Sequence, residues 1–170
     1  MQHVKRFMTS MGGIAVIAAA VAIPMAQTAA ATPDPRNQQG PSVVPFSTTD
    51  RMCDFHVAKV PMPGDGTGFA LISTAGNKVR AEVHLQSADP DTRHTARLIL
   101  MPRSGADSCA AGAPGTVVAP LDTDGAGNAV MTLEQDIAQG ATGAWVLIEG
   151  PPRYGKPYGQ IYTSDFVATI

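Results

Sequence analysis

The chain has 170 residues, enough for one ordinary domain or for a small domain behind a removable leader. Its 12 Lys and Arg against 14 Asp and Glu give a formal net charge of −2 with no block of like charge, so it carries no electrostatic footprint for DNA or RNA. Seventeen Gly and fourteen Pro argue against a helical bundle.

Residues 1–31 read as a secretory signal peptide. Lys5 and Arg6 form a basic start, an apolar run extends from Gly12 to Ile23, and Pro24 breaks it. Ala29-Ala30-Ala31 fits the small-x-small cleavage pattern, which places cleavage after Ala31. The run is about 12 residues long, too short to cross a bilayer core of roughly 30 Å as a helix. The competing reading is an uncleaved anchor. Lys5-Arg6-Phe7 is a poor twin-arginine match and no Cys stands at the cleavage site, so the general secretory route is expected rather than a lipoprotein route. The expected destination is the cell envelope or the extracellular space, with no transmembrane segment after removal of the leader.

Residues 32–42 hold three prolines and almost nothing apolar, the composition of a flexible tail. Residues 43–170 then read as one β-domain, with short apolar segments separated by Gly, Pro, Asp and Asn. In Asn77–Gln86, Val79, Ala81, Val83 and Leu85 alternate with Lys78, Arg80, Glu82 and His84, the period-two pattern of a half-buried strand. Further strands are predicted at Cys53–Val60, Gly68–Thr74, Thr92–Met101, Thr116–Pro120, Asn128–Glu134, Ala144–Glu149 and Gln160–Thr169. Cys53, Phe55 and Val57 would share one face. Leu133–Gln139 is the one segment able to form a helical turn. Asp89-Pro90-Asp91 and Asp124-Gly125 mark tight turns, where Pro fixes φ and Gly permits positive φ. Strands at this spacing predict a single all-β, antiparallel Greek-key β-sandwich of seven to nine strands, immunoglobulin-like or related. Its core should contain Phe55, Val57, Leu71, Val79, Val83, Leu98, Leu100, Val117, Leu133, Trp145, Leu147 and Phe166.

Cys53 and Cys109 are the two cysteines, and an even count in an exported chain reads as a disulfide. The long loop it would close corresponds to roughly 4 kcal/mol in the chain-entropy treatment. Two free thiols or a metal pair are the alternative, although no Cys-x-x-Cys spacing is present.

Asp122-Thr123-Asp124-Gly125 resembles the start of a calcium loop, but the twelfth position, which should be a bidentate Glu, is Leu133. Asp and Gly equally build a hairpin turn at this place. Asp54 and His56, two apart, would project from one face of a strand and form a second weak metal candidate. His56, His84 and His94 otherwise read as exposed imidazoles. G-x-S-x-G is absent, Ser104 and Ser108 show no activating partner, and Glu82, Glu134 and Glu149 are expected to face water, so neither nucleophilic nor paired-carboxylate catalysis has a carrier. No catalytic residue, metal or cofactor is therefore expected. Residues 150–159 (GPPRYGKPYG) combine rigid Pro and Gly with Arg153, Tyr154, Lys156 and Tyr158, residue types that concentrate at contact surfaces. The alternative is a loop whose tyrosines cover the end of the core.

The combination of leader, Pro-rich tail, disulfide and short strands resembles small secreted β-sandwich proteins of actinobacteria. The resemblance runs from Val79 to Ile170 and is carried by Val79-x-Ala81-x-Val83, the Asp89-Pro90-Asp91 turn, Leu98–Leu100, Cys109, the Asp122–Asn128 turn, Gly143–Ile148 and Tyr162–Val167. The chain is also similar to copper/zinc superoxide dismutase, which orders a strand, a turn, a strand, a Cys-bearing loop and a later Asp-Gly turn in the same way. That similarity implies a pair of metal-binding histidines one residue apart within His94–Leu100. Only His94 is present, with Ala96 two residues on and no histidine after Cys109. The resemblance thus implies, at most, a dismutase-like sandwich emptied of metal.

The expected function is that of an exported, non-catalytic module binding a cell-envelope or extracellular partner. The alternatives are a degenerate dismutase-like or other extracellular enzyme, and a small-ligand carrier or structural envelope protein.

Overall fold

The computed structural model describes residues 40–61, 64–153 and 158–170. Residues 1–31, read from the sequence as a leader, most of the Pro-rich segment, and Tyr154 and Lys156 of the loop lie outside the described residues. Among the described residues no helix is long and apolar enough to cross a membrane.

The chain folds as an all-β, antiparallel sandwich. Its strands are β1 (Ser42–Ser47), β2 (Thr49–Arg51), β3 (Val57–Pro61), β4 (Thr67–Ala75), β5 (Lys78–Gln86), β6 (Arg93–Met101), β7 (Thr116–Asp122), β8 (Ala129–Asp136), β9 (Gly143–Glu149), β10 (Ile161–Ser164) and β11 (Ala168–Thr169). Eight of them pair along one path, β7-β6-β9-β10-β1-β4-β5-β8, with β11 also on β9 and β2-β3 as a separate hairpin. The path bends at β1: Ser42–Pro45 pair with β4, whereas Phe46 and Ser47 pair with β10. One strand thus belongs to both sheets, a first sheet β1-β4-β5-β8 and a second sheet β7-β6-β9-β10-β1. β5 and β8 pair in the first sheet while β6 and β7 pair in the second, which makes β5 to β8 a Greek key split between sheets. The two ends of the path, β7 and β8, lie against each other without pairing.

The alternation of β5 sets the register. Val79, Ala81, Val83 and Leu85 are buried between the sheets, and Lys78, Arg80, Glu82 and His84 face out. Opposite them, β6 turns His94, Ala96, Leu98 and Leu100 inward, and β9 adds Ala144, Val146 and Ile148. β9 is buried on both faces because Trp145 and Leu147, on its outer side, form a second apolar cluster with Ile99, Cys109 and Ile161. The cover of that cluster is the turn between β2 and β3. Cys53 is bonded to Cys109, and Phe55 packs edge-on against Trp145 with ring centroids 5.3 Å apart. Arg51 lies over the Phe55 ring, 4.1 Å from its centroid.

Several sequence expectations change in this light. Cys53–Val60 is not one strand: residues 52–56 turn, Phe55 takes φ +71°, and β3 begins only at Val57. Cys53, Phe55 and Val57 consequently do not share a face, and Val57 is 58% exposed. The disulfide, the Trp145 ring and Arg51 together hold Phe55 in a backbone region that bulky residues avoid. In β4 the buried parity is Ala70 and Ile72, which leaves Leu71 on the outer face. Phe166 is 45% exposed because the predicted last strand is broken into β10 and β11 around it. There the Ser164 Oγ accepts the Val146 N–H (2.9 Å), taking the place of a main-chain partner. Leu133–Gln139 makes no helical turn; β8 continues to Asp136 by pairing with β5. Neither β1 nor β2 was predicted from sequence.

Two crossovers close one end of the sandwich, 87–92 between β5 and β6 and 123–128 between β7 and β8. They lock together through Ala88 N to Gly127 O (3.0 Å), Asp91 N to Asp124 O (3.0 Å) and Thr92 N to Thr123 Oγ1 (3.0 Å). Gly127 has φ +77°, and a Cβ there would sit 2.1 Å from the Ala88 carbonyl oxygen. By contrast Gly76, the first central residue of the two-residue β4–β5 turn, has φ +59° with open space around it. Gly127→Ala is therefore expected to cost on the order of 3 kcal/mol or more, strain and clash combined. Gly76→Ala should cost about 1 kcal/mol from backbone strain alone. Urea denaturation of both variants checks the order.

Candidate functional site

A groove of about 370 Å³ lies on the outer face of the second sheet, beside the β9–β10 connection. Arg93 and Thr95 reach it from β6, Glu149 from the end of β9, and Pro151, Pro152 and Tyr158 from the connection. The period-two rule puts Arg93, Thr95 and Arg97 on one side of β6, and the register sets Thr95 directly beside Glu149.

The connection is anchored at three points. Glu149 and Ile161 are ladder partners, and Gly150 N donates to Gln160 O (2.8 Å), so the pairing continues past the strands. The neck is so narrow that a Cβ on Gly159 would fall 2.1 Å from Gly150 O and 2.3 Å from Pro151 O. Beyond it, Arg153 makes a two-pronged ion pair with Asp89 and lies 3.5 Å from Asp65. Arg153 is thus bound within the fold, and the Asp89 hydrogen bonds hold its guanidinium above its ordinary range. Tyr158 is left 52% exposed at the groove.

The charges of the groove come already paired. Arg93 Nε and Nη2 donate to the two carboxylate oxygens of Asp122 at 2.7 and 2.9 Å. Those hydrogen bonds raise the Arg93 guanidinium and lower the Asp122 carboxyl. Arg97 is ion-paired with Glu149 across the strands. Asp50 of β2 lies close by, and its carboxyl is raised, first by burial and then by the negative charge of Glu149.

The weak metal candidates are not brought together. Asp122 faces Arg93, whereas Asp124 Oδ1 accepts the N–H groups of Ala126 (2.9 Å) and Asn128 (2.8 Å) inside its own turn. Those two amides, Asn128 first, pull the Asp124 carboxyl below the usual range. Asp54 and His56 sit apart from both, in the disulfide turn. The imidazole Nδ1 lies 2.9 Å from Asp54 Oδ2, and His56 N donates to Oδ1 at 3.2 Å. Burial among loop atoms works to raise the Asp54 carboxyl, but the His56 amide and imidazole outweigh it and hold it low. Among the described residues, no group of three or more His, Cys, Asp or Glu is placed to hold a metal ion.

The histidines also differ from the expectation of three exposed rings. His56 is exposed, His84 stacks on Phe69 at 4.6 Å, and His94 is fully buried. Its ring nitrogens lie 3.2 Å from Thr92 O and 3.5 Å from the Gln160 Oε1 atom, and Gly150 packs on its edge. Its inward neighbours along β6 are Ala96 and Leu98. The copper or zinc that a dismutase-like sandwich would carry therefore does not fit the residues around His94, which offer one imidazole, already facing the Thr92 carbonyl and the Gln160 amide, and, among the described residues, no second histidine or carboxylate grouped with it to hold a metal ion.

A larger cleft, about 680 Å³, opens at the far end of the sandwich between the 102–115 loop and residues 138–141. Ala, Gly and Pro form most of its walls, and Arg103 spends its guanidinium on Thr116 Oγ1 (2.9 Å) and Pro114 O.

Tyr158 was singled out in the sequence, whereas Arg93 and Thr95 were not. Their signal was available: Arg93, Thr95 and Arg97 alternate with the inward residues of β6. What the sequence lacks is the register that sets them beside Glu149. The chain matches no family model, and no curated protein is similar to it in sequence.

Asp50 yields a pH test. Its folded-state carboxyl is raised, so ionisation costs stability as pH climbs through that raised value and costs nothing in acid, where folded and unfolded forms are both protonated. Asp50→Asn should raise the denaturation midpoint at pH 7, with the gain vanishing below about pH 4. Thermal melts of both proteins between pH 3 and pH 7 measure it.

Proposed function

We propose that this protein is an exported, non-catalytic binding module of the cell envelope or extracellular space, which engages its partner at the Tyr158 groove. The observation that carries the proposal is an exposed aromatic ring on a connection anchored by Gly159 and Arg153, beside a groove of side-chain donors and acceptors. Anchoring removes conformational freedom before binding, which lowers the entropy lost on association. Export is supported by the leader composition of residues 1–31 and by the Cys53–Cys109 disulfide, which suits an oxidising compartment. The non-catalytic character is supported by where the ionisable groups are spent: Asp89, Asp122 and Asp124 hold structure, and His94 sits in the interior. Kinship with small secreted actinobacterial sandwiches, and with a dismutase-like sandwich emptied of metal, belongs to the same proposal.

The cleft bounded by residues 102–115 and 138–141 favours a second reading, a small-ligand carrier. Native mass spectrometry of the exported protein separates the two, since a carrier purifies with organic mass that denaturation removes. For the binding module, the exported protein should cosediment saturably with purified envelopes of the producing cell. Tyr158→Ala should reduce that binding at least tenfold with an unchanged thermal midpoint. Equal cosedimentation of variant and parent would remove the groove from the function.

A further inference from the structure

We infer that the ligand class of the groove is a neutral saccharide; the inference rests on the Tyr158-groove reading above and adds to it the chemistry of the ligand. Three features of the groove select among ligands. First, the ring of Tyr158 offers an exposed aromatic surface beside the rigid, apolar rings of Pro151 and Pro152. An aromatic face is a platform for a flat apolar surface, such as the C–H face of a pyranose.

Second, the polar rim both donates and accepts. Arg93 supplies only N–H donors, Glu149 only acceptor oxygens, and the Thr95 hydroxyl can do either. A hydroxyl group on a sugar likewise gives one hydrogen bond and accepts others, so a ring bearing several of them is served by such a mixture. Thr95 and Glu149 are cross-strand partners, hence separated by about 5 Å, a spacing that adjacent sugar hydroxyls can span together.

Third, the charges are internally compensated. Arg93 is held by Asp122 through two hydrogen bonds, and Glu149 is held by Arg97. An anionic ligand would approach Arg93 against the negative charge of Asp122, and a cationic one would approach Glu149 against the positive charge of Arg97. A neutral polyhydroxyl ligand meets neither repulsion, and it can use the lone pairs and N–H groups that those ion pairs leave over. The same pairs hold both side chains in place before the ligand arrives.

The test is a titration of the ¹⁵N-labelled exported protein, followed by amide shifts. The probes are neutral oligosaccharides built from hexose, N-acetylhexosamine and pentose units, a sulfated oligosaccharide, and a proline-rich peptide. The expected result is saturable movement of the Thr95, Glu149, Gly159 and Ile161 amides with at least one neutral oligosaccharide. Tyr158→Ala should weaken that binding tenfold or more and Thr95→Val several-fold, both with the parent's spectral dispersion. Movement with only the sulfated oligosaccharide or only the peptide overturns the saccharide assignment and leaves the groove as the binding site. Silence with every probe, while envelope cosedimentation still depends on Tyr158, also overturns the saccharide assignment alone. Cosedimentation that ignores Tyr158 removes the site itself.

Discussion

The loops at one end of this sandwich are held by one residue, Asp89, and the hydrogen bonds that converge on it. Its carboxylate binds Arg153, its amide donates to Gln160 Oε1 at 2.9 Å, and its carbonyl accepts from Thr123 Oγ1. These contacts with three partners tie the β5–β6 crossover to the β9–β10 connection, to the entry of β10 and to the β7–β8 crossover. Crossovers between sheets leave main-chain groups without ladder partners, and such groups are costly to bury unsatisfied. Interlocking the two crossovers satisfies them mutually. The groove beside Tyr158 is then a by-product of the same closure, since the connection that frames it is held in place by Arg153.

A second dependence runs through the outer face of the second sheet. β9 is apolar on both sides, and a sheet face of that kind needs a cover. The cover is a short turn, residues 52–56, and the covalent bond from Cys53 to Cys109 keeps it in place over Trp145. Phe55, at φ +71°, is the clearest sign of a backbone shaped by its surroundings rather than by its own preference. This arrangement also answers why Trp145 is fully buried although it points away from the main core.

What could be read from the sequence follows from these same facts. β5, β6 and β9 were legible because each carries enough alternating or continuous apolar residues to announce a buried face, and the disulfide was legible because two cysteines following a leader-like segment have one pairing available. Where covalent and tertiary forces override local pattern, the sequence was silent. Cys53, Phe55 and Val57 alternate like a strand, yet Cys53 and Phe55 lie in a turn and β3 begins only at Val57; the disulfide and the Trp145 ring hold the chain there. Leu71 and Ile72 are equally apolar neighbours, and only pairing with β5 decides which of them is inside. His94 read as a surface residue because it follows a turn, but the crossover lock and Gly150 close over it. The groove was half visible: Tyr158 stands in a suggestive loop, while Arg93, Thr95 and Glu149 become neighbours only through the β6–β9 register.

The meeting of β7 and β8 at the two ends of the strand path has a consequence for how the molecule meets other chains. A free strand edge is a template on which another chain can add, so an open edge is a liability for a β-protein. Here each edge is screened by the other, and Pro120 removes one N–H donor from the exposed length of β7. Along the main strand path neither β7 nor β8 therefore presents an open edge on which another chain could add.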